Sequence, residues 1–182
     1  MSTFHGVMPR RTLLQGASAG LLTGLTGSTS AQAGAAEDDI WSKDYWAKKG
    51  DVKLYLWRKR VGAPRPGEPA RPVVFLVHGS SNSSRSSYDL TVPSKGEYSL
   101  MNVLARDGYD VWTMDHDGYG HSGSSGNSSD IASGVADLKA AMPVVEKETG
   151  QQKAHFYGTS SGGIRAAAFA QAVPHRVARL ML

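Results

Sequence analysis

The chain has 182 residues, 40% of them hydrophobic and 20% charged, the balance of a globular domain with enough length to bury a core, which excludes wholesale disorder. Its net charge of +4 falls to +2 once residues 1–33 are set aside, because they hold Arg10 and Arg11 and no acid, leaving 18 basic against 16 acidic side chains; such a balance marks neither a nucleic-acid partner nor a membrane surface. There is no cysteine, so disulfides and thiolate metal sites are excluded.

Residues 9–15 read PRRTLLQ and lead into an apolar run diluted by glycine, serine and threonine that ends in Ala31, Gln32 and Ala33. Paired Arg10 and Arg11, a weakly apolar region and an AxA ending resemble a twin-arginine export signal. The run is too interrupted to supply the ~20 predominantly apolar residues of a membrane span. We therefore expect a signal over residues 1–33, a periplasmic or secreted mature chain, and no membrane association after cleavage.

Residues 34–50 carry Trp41, Tyr45 and Trp46 among charges and read as an N-terminal segment that packs its rings on the domain that follows. From residue 51 the sequence DVKLYLWRKR alternates Val52, Leu54 and Leu56 with Lys53, Tyr55 and Trp57, the period of a half-buried strand. We expect an edge strand whose terminal Lys and Arg are solvated and protective. Pro64, Pro66, Pro69 and Pro72 make residues 62–72 a loop. Residues 73–77, VVFLV, form a continuous apolar run that suits a strand buried on both faces of a parallel sheet, and it stops at His78 and Gly79 before the small residues SSNSS. Residues 99–107 place Leu100, Val103 and Leu104 on one helical face, stopped by Gly108. Residues 109–115, YDVWTMD, read as the next buried strand, and this alternation predicts a parallel sheet.

The loop DHDGYGHSG then spells GxGxxG with Gly118, Gly120 and Gly123. A dinucleotide fingerprint needs those glycines to open a helix directly, whereas SSGNSSD intervenes before helical periodicity begins at Ile131, so no nucleotide cofactor is expected. His116 and His121, with Asp115 and Asp117, stand at no recognised zinc spacing, and no metal is expected either. Ile131, Val135, Leu138, Met142 and Val145 share the face of a helix that Ser129 can cap, Pro143 bend and Gly150 close.

Residues 155–171, HFYGTSSGGIRAAAFAQ, combine a short strand, a turn and a small-residue helix. The turn holds GxSxG with Ser160 between Gly158 and Gly162; shifting the frame to Ser161 puts Thr159 where the first glycine belongs. A serine lifted out on a sharp strand-to-helix turn needs neighbours without side chains, and at the start of a helix it faces backbone N–H groups able to stabilise an oxyanion. This is the pattern of a nucleophile elbow.

Three motifs in order, LVHGSS, DHDGYGHSG and YGTSSGG, resemble the α/β-hydrolase superfamily over about residues 52–182. The resemblance implies an α/β fold, a mostly parallel sheet with helices on both faces, occupying residues 51–182. It implies Ser160 as nucleophile, the N–H groups of Ser80 and Ser161 as oxyanion hole, Gly158 and Gly162 as elbow glycines, and His78 as a brace for the loop. It implies a small-molecule substrate and no cofactor or metal. Many members carry arginine where Asp117 stands, so no role is carried over to that position. Serine at the elbow points away from the epoxide hydrolases and dehalogenases of the superfamily, which use aspartate there. In the family the catalytic acid and histidine follow the nucleophile, yet only 22 residues follow Ser160, none of them acidic, with His175 the single histidine. The expectation is therefore the N-terminal portion of a carboxylesterase-like serine hydrolase, lacking its acid and base and nearly inactive alone. The alternative is a non-catalytic copy that at most binds a ligand or partner.

Overall fold

A computed structural model describes residues 39–182 of the chain, and the export signal expected over residues 1–33 lies outside the described residues. Strands β1 (Ile40–Lys49) and β2 (Val52–Val61) form an antiparallel hairpin, in register from Ile40 opposite Val61 to Lys49 opposite Val52. Gly50, at φ 57°, supplies the left-handed backbone that so tight a connection requires. Strands β3 (Val73–Val77), β4 (Asp110–Met114), β5 (Ala154–Gly158) and β6 (Val177–Met181) run parallel to one another, and the six strands lie in the order β1-β2-β4-β3-β5-β6 with β2 antiparallel to β4. Every residue of β3 and β4 is buried, as the unbroken apolar run of β3 predicts for a strand covered on both sides.

Helices α1 (Ser84–Tyr88) and α2 (Leu100–Arg106) cover one face of the sheet, packing Tyr88, Met101 and Ala105 on Val74, Leu76 and Val111. Helices α3 (Ile131–Thr149) and α4 (Ser161–Ala172) cover the other, where Leu138, Met142, Val145 and Phe169 meet Phe75, Trp112 and Phe156. Phe75 and Phe156 stack at 5.5 Å between ring centres, and Phe156 meets Phe169 at 5.0 Å. Each fully buried ring of this kind contributes about 1.5–3 kcal/mol through apolar area removed from water.

Several expectations change at this level. Residues 40–49 are not merely an appended aromatic segment but the outer strand of the sheet. Trp41 and Tyr45 do pack on the core, whereas Trp46 is 51% exposed. Strand β2 is consequently interior, and the basic residues at its end are not solvated: Arg58 is 1% and Arg60 3% exposed. The physical reason is pairing. Arg58 grips Asp110 through Nε at 2.8 Å and Nη2 at 2.5 Å, Arg60 meets Glu68 at 2.5 Å, and Lys59 meets Asp89 at 2.5 Å, so each cation enters the protein with its counter-ion. In α2 Met101 and Ala105 are fully buried and Leu100 and Leu104 pack half-buried against the same cluster, whereas Val103 is 44% exposed. Asp130, not Ser129, caps α3, accepting the Ser133 N–H at 2.7 Å. Pro143 lies inside α3, and Gly150 ends it at φ 72°.

Candidate active site

Strand β5 stops at Gly158 and α4 begins at Ser161, which leaves Thr159 and Ser160 to turn the chain. Ser160 adopts φ 56° and ψ −133°, a conformation that costs a non-glycine residue about 1–3 kcal/mol and places its side chain at the exposed crest of the turn. The two glycines make that turn possible. A Cβ on Gly158 would lie 2.5 Å from the Gly162 carbonyl oxygen, and one on Gly162 would collide with the Val77 carbonyl oxygen and sit 2.6 Å from that of His78. The elbow is thus pressed directly against the end of β3.

The loop after β3 closes the other side. Gly79 is so near that a Cβ on it would stand 3.0 Å from Ser160 Cβ and 3.5 Å from Ser160 Oγ. Next to it the Ser80 N–H donates to Ser161 Oγ at 2.8 Å, and the Ser80 and Ser161 hydroxyls are also 2.8 Å apart. His78 has both ring nitrogens engaged: with the proton on Nδ1 it donates to the Gly79 carbonyl at 2.7 Å, and Nε2 accepts the His116 N–H at 3.1 Å. Burial, reinforced by the neighbouring His116, pushes the His78 pKa down to about 4, so the ring is neutral and ties the loop to the end of β4. Tyr88 donates its hydroxyl to the Val77 carbonyl at 2.8 Å and shares a 3.0 Å hydrogen bond with Thr159 Oγ1. The Tyr119 ring lies on His78 at 5.1 Å, and its hydroxyl is held below the usual phenol range chiefly by its bond to Ser80.

Beneath these loops lies a polar layer. Asp115 receives the N–H groups of Ser84 at 2.7 Å and His121 at 2.8 Å, and Gly120 passes so close that its Cβ would be 2.9 Å from Asp115 Oδ1. Asp117 forms an ion pair with Lys49 at 2.9 Å; Lys49 also pairs with Asp137, whose other oxygen meets His116 Nδ1 at 3.0 Å. Burial opposes the Asp137 carboxylate, but bonds from His116, Lys49 and the Asp117 N–H outweigh it and hold its pKa below the usual range. Arg165, 1% exposed, reaches from α4 to the Ser129 carbonyl at 2.8 Å and the His78 carbonyl at 3.5 Å. Gly134 leaves the space, since a Cβ there would meet Arg165 Cδ at 2.6 Å. Lys49, Tyr88, Tyr119, Asp137 and Arg165 escaped the reading of the sequence. Asp137 had a visible signal, because Gly134, Asp137, Leu138 and Ala141 share the buried face of α3 and a lone acid on such a face implies a buried partner.

The glycines of GYGHSG close a loop on themselves. Gly118 donates to the Gly123 carbonyl at 2.9 Å, Gly123 donates to the Lys53 carbonyl at 2.8 Å, and the next helix opens only at Ile131. Among the described residues, no group of three or more His, Asp or Glu is placed to hold a metal ion. Nor does an imidazole hydrogen-bond Ser160 Oγ among them. His78 and His116 are locked as described, His121 packs on Tyr55 at 4.8 Å, His155 meets Tyr109 at 6.3 Å, and His175 lies in the 3-10 turn Pro174–Arg176.

A sequence model of the alpha/beta hydrolase fold matches residues 72–182. The chain is 36% identical over 137 residues to a 2-hydroxy-6-oxononadienedioate/2-hydroxy-6-oxononatrienedioate hydrolase of Paraburkholderia phymatum, covering 74% of this chain and 41% of that protein. It is 36% identical over 111 residues to Lipase 3 of Drosophila melanogaster, covering 55% and 27%. The chain thus spans less than half the length of these two curated relatives. Among solved structures it is similar to a predicted CIB-like hydrolase from Thermoplasma acidophilum, with a TM-score of 0.57 and 19% identity over 76% of this chain and 60% of that one, a likeness of fold.

Proposed function

Because the chain belongs to the alpha/beta hydrolase fold family, we propose that it is a serine hydrolase in which Ser160 attacks an ester, thioester or amide carbonyl. The single observation that carries this reading is Ser160 itself, exposed on a strained turn between β5 and α4 with Gly79 against it. A bond forms between Ser160 Oγ and the carbonyl carbon, the hydroxyl proton passes to a base, and the alcohol, thiol or amine leaves; water then cleaves the acyl-enzyme. The N–H groups of Ser80 and Ser161 would receive the oxyanion. The names of the curated relatives, a lipase and a hydrolase of an oxo acid, fit attack on a carbonyl carbon.

A second reading, a copy that binds but does not turn over, is favoured by one observation: no described histidine hydrogen-bonds Ser160. We accordingly expect slow chemistry from this chain, since an oxyanion hole and binding alone retain only a residue of a triad's rate. Incubation with a fluorophosphonate followed by peptide mass mapping decides between the two. The expected result is a slow adduct on Ser160 that Ser160→Ala abolishes; an unmodified Ser160 after prolonged exposure would favour the binding copy. We also propose export through Arg10 and Arg11. Replacing both by lysine should leave the protein in the cytoplasm, and unchanged export would refute that assignment.

A further inference from the structure

The residue after the proposed nucleophile carries a side chain with work of its own. The Ser80 N–H, one half of the proposed oxyanion hole, has a single proton, and that proton is given to Ser161 Oγ at 2.8 Å. We propose that the Ser161 hydroxyl is a removable cover on the oxyanion hole, holding the Ser80 N–H in place until the substrate's carbonyl oxygen displaces it. The inference rests on Ser160 being the nucleophile.

Two features make the exchange easy and reversible. First, Ser161 Oγ is also 2.8 Å from Ser80 Oγ, so it keeps a partner after it releases the N–H. Second, Ser80 is exposed and Ser161 half-buried, so neither group is stranded away from water during the exchange. The neighbouring Gly79 carbonyl is fixed by His78, so the loop has no need of Ser161 to hold its course. Removing the hydroxyl should therefore free the hole without unfolding the elbow.

The test compares wild type, Ser161→Ala and Ser161→Thr in their rate of modification by a fluorophosphonate, whose phosphoryl oxygen enters the hole as an acyl oxygen would. A neutral hydrogen bond is worth about 1 kcal/mol net, so Ser161→Ala should react about three- to tenfold faster than wild type, and faster than Ser161→Thr, which retains a hydroxyl. An equal or slower rate for Ser161→Ala overturns the cover. Hydrogen exchange of the Ser80 amide provides a second measurement independent of Ser160 chemistry. Protection present in wild type and lost in Ser161→Ala supports the cover, and protection retained in that variant overturns it. Absence of labelling in all three proteins would count against Ser160 as nucleophile and leave the exchange result to decide the role of Ser161.

Discussion

Gly162 and Val77 stand so close that the first turn of α4 rests on the last carbonyl of β3, with no room for a methyl group between them. Gly162→Ala should therefore shift the elbow or unfold the domain, at a cost of about 3 kcal/mol or more. Gly163→Ala is the matched control. Its Cβ would approach the Gly158 carbonyl at 3.3 Å, a few tenths of an ångström too near, and alanine's helical preference offsets part of that. Urea midpoints should fall sharply for the first variant and little for the second.

Arg58 and Asp110 form a nearly fully buried pair between β2 and β4, with side-chain exposures of 1% and 3%. Removing one partner leaves an uncompensated charge in the interior, so Asp110→Ala should destabilise by about 3–5 kcal/mol. Replacing both, with Arg58→Met and Asp110→Leu, should recover most of the loss. A double-mutant cycle on urea unfolding gives the coupling directly, and additive single effects would show that the pair contributes nothing together.

His78 makes stability depend on pH in a defined direction. Its folded pKa of about 4 lies below the ordinary value of 6.5, so the unfolded chain binds more protons between those limits and stability rises with pH across that window. Acidification from pH 6.5 towards 4 should therefore remove about 3 kcal/mol through this ring, and buried His116, also shifted down, acts in the same sense. The carboxylates with depressed pKa values, such as Asp137, lose their contribution only lower, below their unfolded pKa of 3.8. Chemical unfolding between pH 7 and 5 should show a clear slope that His78→Asn flattens.

Lys49 balances two carboxylates, Asp117 and Asp137. With Lys49→Met, the fully buried Asp137 keeps only His116 and a backbone N–H, and we expect a loss of about 2–4 kcal/mol near neutral pH. The sign with pH is fixed: a depressed carboxylate pKa stabilises above the unfolded value and ceases to do so as pH falls through the folded one. The gap between wild type and variant should accordingly narrow below pH 4.

The parallel strands and the elbow were legible because each declares itself locally. VVFLV needs no partner to read as a doubly covered strand, and the glycines around Ser160 announce a turn that excludes side chains. Strand β1 was not legible: its charged residues interrupt any alternation, and only pairing with β2 makes it a strand. The fate of Arg58 was hidden for a related reason. A basic residue near a strand end reads as solvated unless its counter-ion is known, and Asp110 lies 52 positions away. The Ser161 hydroxyl was illegible as an acceptor of the Ser80 N–H, because that contact depends on where the loop after β3 lands.

The ion pairs of Lys49 bear on where the domain can be cut. The family match opens at residue 72, which would invite an expression boundary there. Yet Lys49, at the end of β1, neutralises an acid at the centre of α3 and another in the loop that carries Tyr119. A version starting at residue 72 would lose that cation along with Arg58, leaving Asp137 and Asp110 as buried acids without their counter-ions and β4 as a bare outer strand. The hairpin of residues 40–61 is structurally part of the hydrolase unit, although the family signature does not include it.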